Sequence, residues 1–183
     1  MGSPCRVAIT GTPGTGKTTI ASLLEQGGVS VFSVKELAEE HECIDGVDPK
    51  DGARPIDLGA LSLQLEEKWK DGPNELTVVD GHLSHNLPVD CVIILRCEPK
   101  ILENRLEGRG YSEEKKMSNV EWEILGSSWN EYREDVPWIE FDTSKRSIQG
   151  IVGSINDWVA GGFKPMSPGS AIDWVADMED EDV

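Results

Sequence analysis

The chain has 183 residues, enough for one domain, or one domain with an insertion, around a real core. Its 38% apolar and 28% charged residues are the balance of a water-soluble globular protein, and no apolar run approaches the ~20 residues that span a bilayer. A formal charge of −17 argues against non-specific nucleic-acid binding, which wants a basic footprint.

The first element in chain order is a strand, "RVAIT". It runs into "GTPGTGKTT", residues 11–19, which fits G-x-x-x-x-G-K-[ST] with Gly11, Gly16, Lys17 and Thr18 in the fixed places. A loop that wraps a polyphosphate must turn its backbone N–H groups inward, and glycines allow that turn. Pro13, Gly14, Thr15, Gly16, Lys17, Thr18 and Thr19 are therefore the expected nucleotide-binding residues. Lys17 reaches the β- and γ-phosphates, and the Thr18 hydroxyl is a ligand for Mg²⁺. The helix that follows, "KTTIASLLEQ", points its positive end at the same phosphates.

"VSVFS" (29–33) reads as a second strand. Ser33 with Glu36 forms a capping box for a helix running through His41. Residues 42–56 are rich in Gly, Pro and Asp and read as a loop or insertion. "DLGALSLQLEEKWK" has apolar residues at helical period. "ELTVVD" is a strand ending at Asp80, the position where P-loop proteins carry an acid for Mg²⁺. His82, two residues on, could orient a nucleophile or donate to a phosphate oxygen. His82 and His85 do not form a zinc site, because no third ligand is near in sequence.

"CVIILRC" (91–97) is a continuous apolar run, as expected of a strand buried on both faces. Pro99 opens a helix to about Glu107. Arg105 and Arg109, four apart, are expected on one helix face, with a hinged lid over Gly108–Ser118 that closes positive charge over a moving phosphoryl group. Ser118 with Glu121 is expected to start a helix through about Tyr132. "WIEFDT" is the last strand, and "SIQGIVGSINDWVAGG" a helix with Ile148, Ile151, Val152, Ile155 and Val159 on one face. Six of the last eleven residues are acidic, so residues 164–183 read as a separate solvated tail, yet Ile172, Trp174 and Val175 suit docking. The four cysteines show no metal pair and read as buried thiols, which fits a reducing cytoplasm. Arg96, Lys100, Arg105, Arg109, Lys115 and Lys116 make residues 81–120 the one charge-neutral quarter, with six acids and six bases.

Strands alternating with helices predict an α/β fold, a doubly wound, mostly parallel five-stranded sheet. The P-loop, "VDGH", "RLEGRGY" and Asn119–Ile124 ("NVEWEI") together resemble the adenylate kinase isoenzyme six family, the atypical nuclear or archaeal-type adenylate kinases. The tail piece "AIDW" is similar to the archaeal branch. The resemblance spans about residues 5 to 160. It implies a nucleoside monophosphate kinase fold: a kinase domain over 1–163, a monophosphate-binding part at about 34–57, a lid at about 108–118, and a tail. It implies ATP and Mg²⁺ as cofactors, AMP as acceptor, weak ATP hydrolysis and a role in small-ribosomal-subunit maturation through a basic platform ribosomal protein. Asp80 and His82 match the family's Asp-x-His pair, Arg109 its lid arginine, and Asp57 its monophosphate part. Arg54 is displaced from the family's usual arginine. A monomer in the cytoplasm, touching neither membrane nor specific nucleic acid, is expected. The alternative is an ATP-dependent assembly chaperone whose business is a basic protein partner. A small GTPase does not fit, because "FDTSKRS" supplies no Asn-Lys-x-Asp motif.

Overall fold

The computed structural model describes residues 4–46, 54–131, 133–167 and 170–181. Five strands lie parallel in the order β2-β3-β1-β4-β5: β1 Cys5–Thr10, β2 Ser30–Ser33, β3 Leu76–Asp80, β4 Cys91–Arg96 and β5 Trp138–Asp142. β1 is central, paired to β3 on one side and β4 on the other. The chain leaves β1 toward β2 and β3, then crosses to β4 and β5. Such a reversal opens a crevice at the carboxyl ends of the strands, where α/β proteins bind ligands.

Helices cover both faces. α1 (Lys17–Gln26) and α6 (Ile148–Ala160) bury Ile20, Leu24, Ile151 and Ile155 against Val7, Ile9 and Ile93. α2 (Val34–Glu40) and α3 (Leu58–Lys68) bury Leu37, Leu61 and Leu65 against Ala8, Val79 and Ile94 on the other face. Every residue of β4 is buried, which is why its sequence lacks the polar alternation of a one-sided strand. The capping box at Ser33 forms as expected. All four cysteines are buried and free. Among the described residues no helix is long and apolar enough to cross a membrane.

Three expectations are corrected. α4 (Pro99–Glu107) ends at Gly108, so Arg109 lies beyond the helix and shares no face with Arg105. α5 spans Glu113–Ile124, not Ser118 onward. Its cap is Ser112, whose hydroxyl accepts from Lys115 N, and Glu113 and Glu114 favour the positive end in the first turn. Ser118 is thus interior, Tyr132 lies outside the described residues, and most of the expected lid loop is helix. Finally, the tail is no loose end: it forms α7 (Trp174–Glu181) with Trp174 only 3% exposed.

The Gly/Pro/Asp-rich stretch at 42–56 is closed at its base. Ile44 and Ile56 form an antiparallel bridge, and Asp45 N donates to Pro55 O. Residues 47–53 lie outside the described part.

Candidate active site

The loop between β1 and α1 keeps its shape through glycine. Gly11 sits at φ 131°, and a Cβ there would lie 2.2 Å from Leu95 O on the neighbouring strand. Gly14 sits at φ 99°, against Leu102 and Leu106 of α4. At Gly11 backbone approaches backbone, and at Gly14 the positive φ and the two leucine side chains leave no room for a Cβ. Thr15 is buried and donates its hydroxyl to Thr12 O at 2.9 Å, which tightens the turn.

Around this loop a cleft opens, lined by Pro13, Gly14, Gly16, Lys17, Thr18, Thr19, Asp80, His82 and Arg109. Lys17 Nζ donates to Gly11 O (2.8 Å) and Thr12 O (2.9 Å). Burial pushes its pKa down to about 8, with the neighbouring Asp80 opposing and Arg109 reinforcing the shift. A half-buried ammonium facing backbone carbonyls is poised to exchange them for phosphate oxygens, which would stabilise its charge.

Asp80 ends β3 beside β1. Its Oδ2 accepts from Thr18 Oγ1 at 3.0 Å, while Oδ1 is buried without a hydrogen-bond partner. Burial raises its pKa above the ordinary carboxylate value, against the pull of Thr18 and Lys17. A buried carboxylate oxygen left over next to a threonine hydroxyl fits a hard divalent cation. Among the described residues no cluster of three or more His, Cys, Asp or Glu could hold a metal. One carboxylate oxygen beside one hydroxyl is the kind of donor pair Mg²⁺ takes, since it keeps several waters and draws its remaining ligands from phosphates.

His82 follows on the turn after β3. Its Nδ1 donates to Gly11 O at 3.0 Å, and its ring meets Trp122 of α5 edge-on at 6.0 Å. Burial lowers its pKa, so the ring is neutral at pH 7. With Nδ1 carrying the proton, Nε2 keeps a lone pair. The Thr10 hydroxyl donates to His82 O at 2.6 Å and anchors this turn to β1. His85 stands apart: its ring bridges Thr10 Oγ1 and Glu131 Oε2 behind the cleft, so it braces the fold.

The two arginines separate. Arg109 lines the cleft. Arg105 instead spends its guanidinium on Thr143, through Oγ1 at 3.0 Å and the carbonyl at 2.9 Å, with Gly14 O at 3.5 Å. That geometry braces the loop against β5 and does not aim Arg105 at a transferring group. Other central cations are also structural. Lys116 ties α5 to α4 through Glu103 and Glu107, and pairs with Glu113 on its own helix. Arg96 is buried between Glu123 and Glu140. Asp57 caps α3 by accepting from Ala60 N at 2.9 Å, and Arg54 is exposed at the edge of 47–53. Neither faces the P-loop cleft.

Spacing alone does not single out Thr12 or Glu123, yet both touch the site. Thr12 Oγ1 donates to the buried Glu123 at 2.5 Å. The one sequence signal for Glu123 is its place in "NVEWEI".

With this geometry in view, likeness to known proteins is informative. A family model described as an AAA domain matches residues 7–126. A protein of Archaeoglobus fulgidus named "Putative adenylate kinase" is 38% identical over 178 residues, covering 95% of this chain and 94% of that one. A Pyrococcus abyssi protein of the same name is 41% identical over 160 residues, covering 86% of each chain. The chain belongs to the adenylate kinase-like family of P-loop proteins. Among solved structures, this adenylate kinase-like chain is similar to a deoxyadenosine kinase from M. mycoides (TM-score 0.56, 20% identity, 85% of this chain and 99% of that one). It is also similar to a shikimate kinase from Acinetobacter baumannii (TM-score 0.59, 16% identity, 87% and 94%). At that distance the two share the fold, a parallel sheet with a P-loop after its central strand.

Proposed function

We propose that this chain is a magnesium-dependent adenylate kinase that moves the γ-phosphoryl group of ATP to AMP and releases two ADP. The observation that supports this most is the convergence of Lys17, Thr18, Asp80, His82 and Arg109 on one cleft at the P-loop. The relatives' name points the same way.

In this reading the loop amides and Lys17 bind the β- and γ-phosphates. Thr18 and Asp80 hold Mg²⁺, which neutralises charge on the phosphate oxygens. Arg109 stabilises the transferring group from the lid side. An AMP phosphate oxygen bonds to the γ-phosphorus, and the bond from that phosphorus to the β–γ bridging oxygen breaks, leaving ADP. The neutral His82, with Nδ1 committed to Gly11 O, orients the acceptor by accepting through Nε2 a hydrogen bond from a water or a nucleotide hydroxyl. Phosphoryl transfer asks little covalent chemistry of the protein, and this set supplies position and positive charge. In this reading residues 34–57 are the monophosphate part, where Arg54 stays outside the P-loop cleft and would reach AMP only if that part closes, and 108–118, with Arg109 in the cleft, are the lid.

³¹P NMR with Mg·ATP tests the reading. ADP appearing at twice the rate of ATP loss, only with AMP present and without inorganic phosphate, supports a kinase. Phosphate released regardless of AMP overturns it.

That second outcome would favour another reading, an ATPase serving the assembly of a basic protein, a small-subunit ribosomal protein in the family's terms. Its support is the charge of −17 together with Met117, Trp122 and Leu125 exposed on α5 beside the cleft. Charge complementarity would steer such a partner.

A further inference from the structure

The acidic tail reaches the nucleotide loop through one buried carboxylate. Just before α7, the Ile172 backbone lies across two buried side chains: its carbonyl accepts from Arg96 at 3.0 Å, and its N–H donates to Glu140. The Trp174 ring then packs over Arg96, 5.8 Å from the guanidinium carbon, and its indole N–H donates to Glu123 Oε1 at 3.0 Å.

Glu123 is held from two sides. Oε1 accepts from Arg96 Nε (2.7 Å), Cys97 N (3.0 Å) and Trp174 Nε1, drawn from β4, the turn after it and the tail. Oε2 accepts from the Thr12 hydroxyl, inside the P-loop. Thr12 in turn offers its carbonyl to Lys17 Nζ and to the Thr15 hydroxyl. One continuous path thus runs from the tail to the lysine: Trp174, Glu123, Thr12, Lys17. Three donors on one oxygen fix the carboxylate's rotation, and that rotation decides where the other oxygen meets Thr12. The cluster is fully satisfied, with Glu140 also accepting from Trp129 Nε1 at 2.7 Å. Such a network has one arrangement only while every member is in place.

We propose that Glu123 is a positioning residue for the P-loop, and that docking of the tail through Trp174 sets the affinity of that loop for nucleotide. The idea rests on the reading of residues 11–19 as an ATP site and deepens it. With Trp174 undocked, water reaches Glu123, the carboxylate loses a donor, and its hold on Thr12 slackens. Thr12 and Lys17 then sample arrangements that must be re-ordered on binding, so affinity falls.

Full-length protein, titrated with Mg·ATP by calorimetry, tests this, with thermal unfolding measured alongside. Trp174→Phe keeps an aromatic ring in place but removes the indole N–H donor together with part of the ring volume, which is why thermal unfolding is read alongside. Thr12→Val removes the hydroxyl, and Thr12→Ser restores it. Trp174→Phe and Thr12→Val are each expected to weaken ATP binding by about 3- to 10-fold, the net worth of roughly one ordinary hydrogen bond, because each acts on the loop indirectly. Thr12→Ser should bind like wild type. The double variant should bind no more weakly than Thr12→Val alone, because both act through Glu123. Additive losses, or a Trp174→Phe protein that melts lower but binds ATP as tightly as wild type, would overturn the proposal and leave the ATP site standing. Wild type that takes up no ATP would overturn the ATP-site reading and this one with it.

Discussion

Lys17→Met is expected to stabilise the ligand-free protein at neutral pH and abolish its response to ATP. Burial moves the Lys17 pKa from 10.5 to about 8. At ~1.4 kcal/mol per pKa unit, holding that ammonium inside the fold costs about 3 kcal/mol. Methionine keeps the length without the charge. Against this stands the loss of two hydrogen bonds, to Gly11 O and Thr12 O, each worth on the order of 1 kcal/mol. The net gain expected at pH 7 is therefore about 1 kcal/mol. The sign with pH follows from the direction of the shift. Below about 8 the folded and unfolded chains both carry the proton, so wild type bears the full cost. Between about 8 and 10.5 the folded chain gives up its proton first, wild-type stability rises, and the advantage of the variant closes. Urea unfolding at pH 7 and pH 9.5, with and without Mg·ATP, reads all of this. ATP at a hundred times its Kd should stabilise wild type by about 2.7 kcal/mol and the variant by nothing. A variant less stable than wild type by over about 1 kcal/mol at pH 7 would refute the reasoning, as would a retained ATP effect.

Asp80→Asn should abolish the magnesium dependence of phosphoryl transfer and lower the rate by about 100-fold or more, measured by ADP formation across a Mg²⁺ titration. Because burial raises the Asp80 pKa, wild-type Mg²⁺ affinity should start to fall at a higher pH than for a free aspartate as the solution is acidified. His82, neutral at pH 7 with its pKa lowered by burial, should give an activity profile that stays flat from pH 7 downward to below the usual histidine range; His82→Ala should cut kcat by about 10²-fold. A profile that breaks at or above the ordinary histidine pKa would refute the neutral-ring role. Gly11→Ala should cost several kcal/mol or prevent folding, since its Cβ would fall 2.2 Å from Leu95 O at φ 131°; circular dichroism melting checks it.

Much of this molecule is local, and local physics can be read from sequence. The P-loop needs glycines at set places, so its spacing announces it. The apolar run of β4, broken only at Arg96, and the helical period of α6 each follow from the faces they bury, and the Ser33 cap follows from a Ser-x-x-Glu pattern. The sequence places the start of α5 at Ser118 because two serines with nearby acids compete as caps. Packing against α4 through Lys116, Leu102 and Leu106 accompanies the choice of Ser112. What only the tertiary structure decided is which of several equal-looking charges line the cleft and which are held elsewhere. Arg105 and Arg109 look alike in sequence, yet Thr143, from β5's far end, occupies one of them. Arg96, Glu123 and Glu140 lie 27 and 44 residues apart in sequence from Arg96, and no period or motif links them. Only strand order brings them together, and only burial, by stripping water from all three, makes their pairing compulsory. The tail shows the same limit: its composition is that of a solvated end, and the contacts that dock it are to Arg96, Glu123 and Glu140, far earlier in the chain.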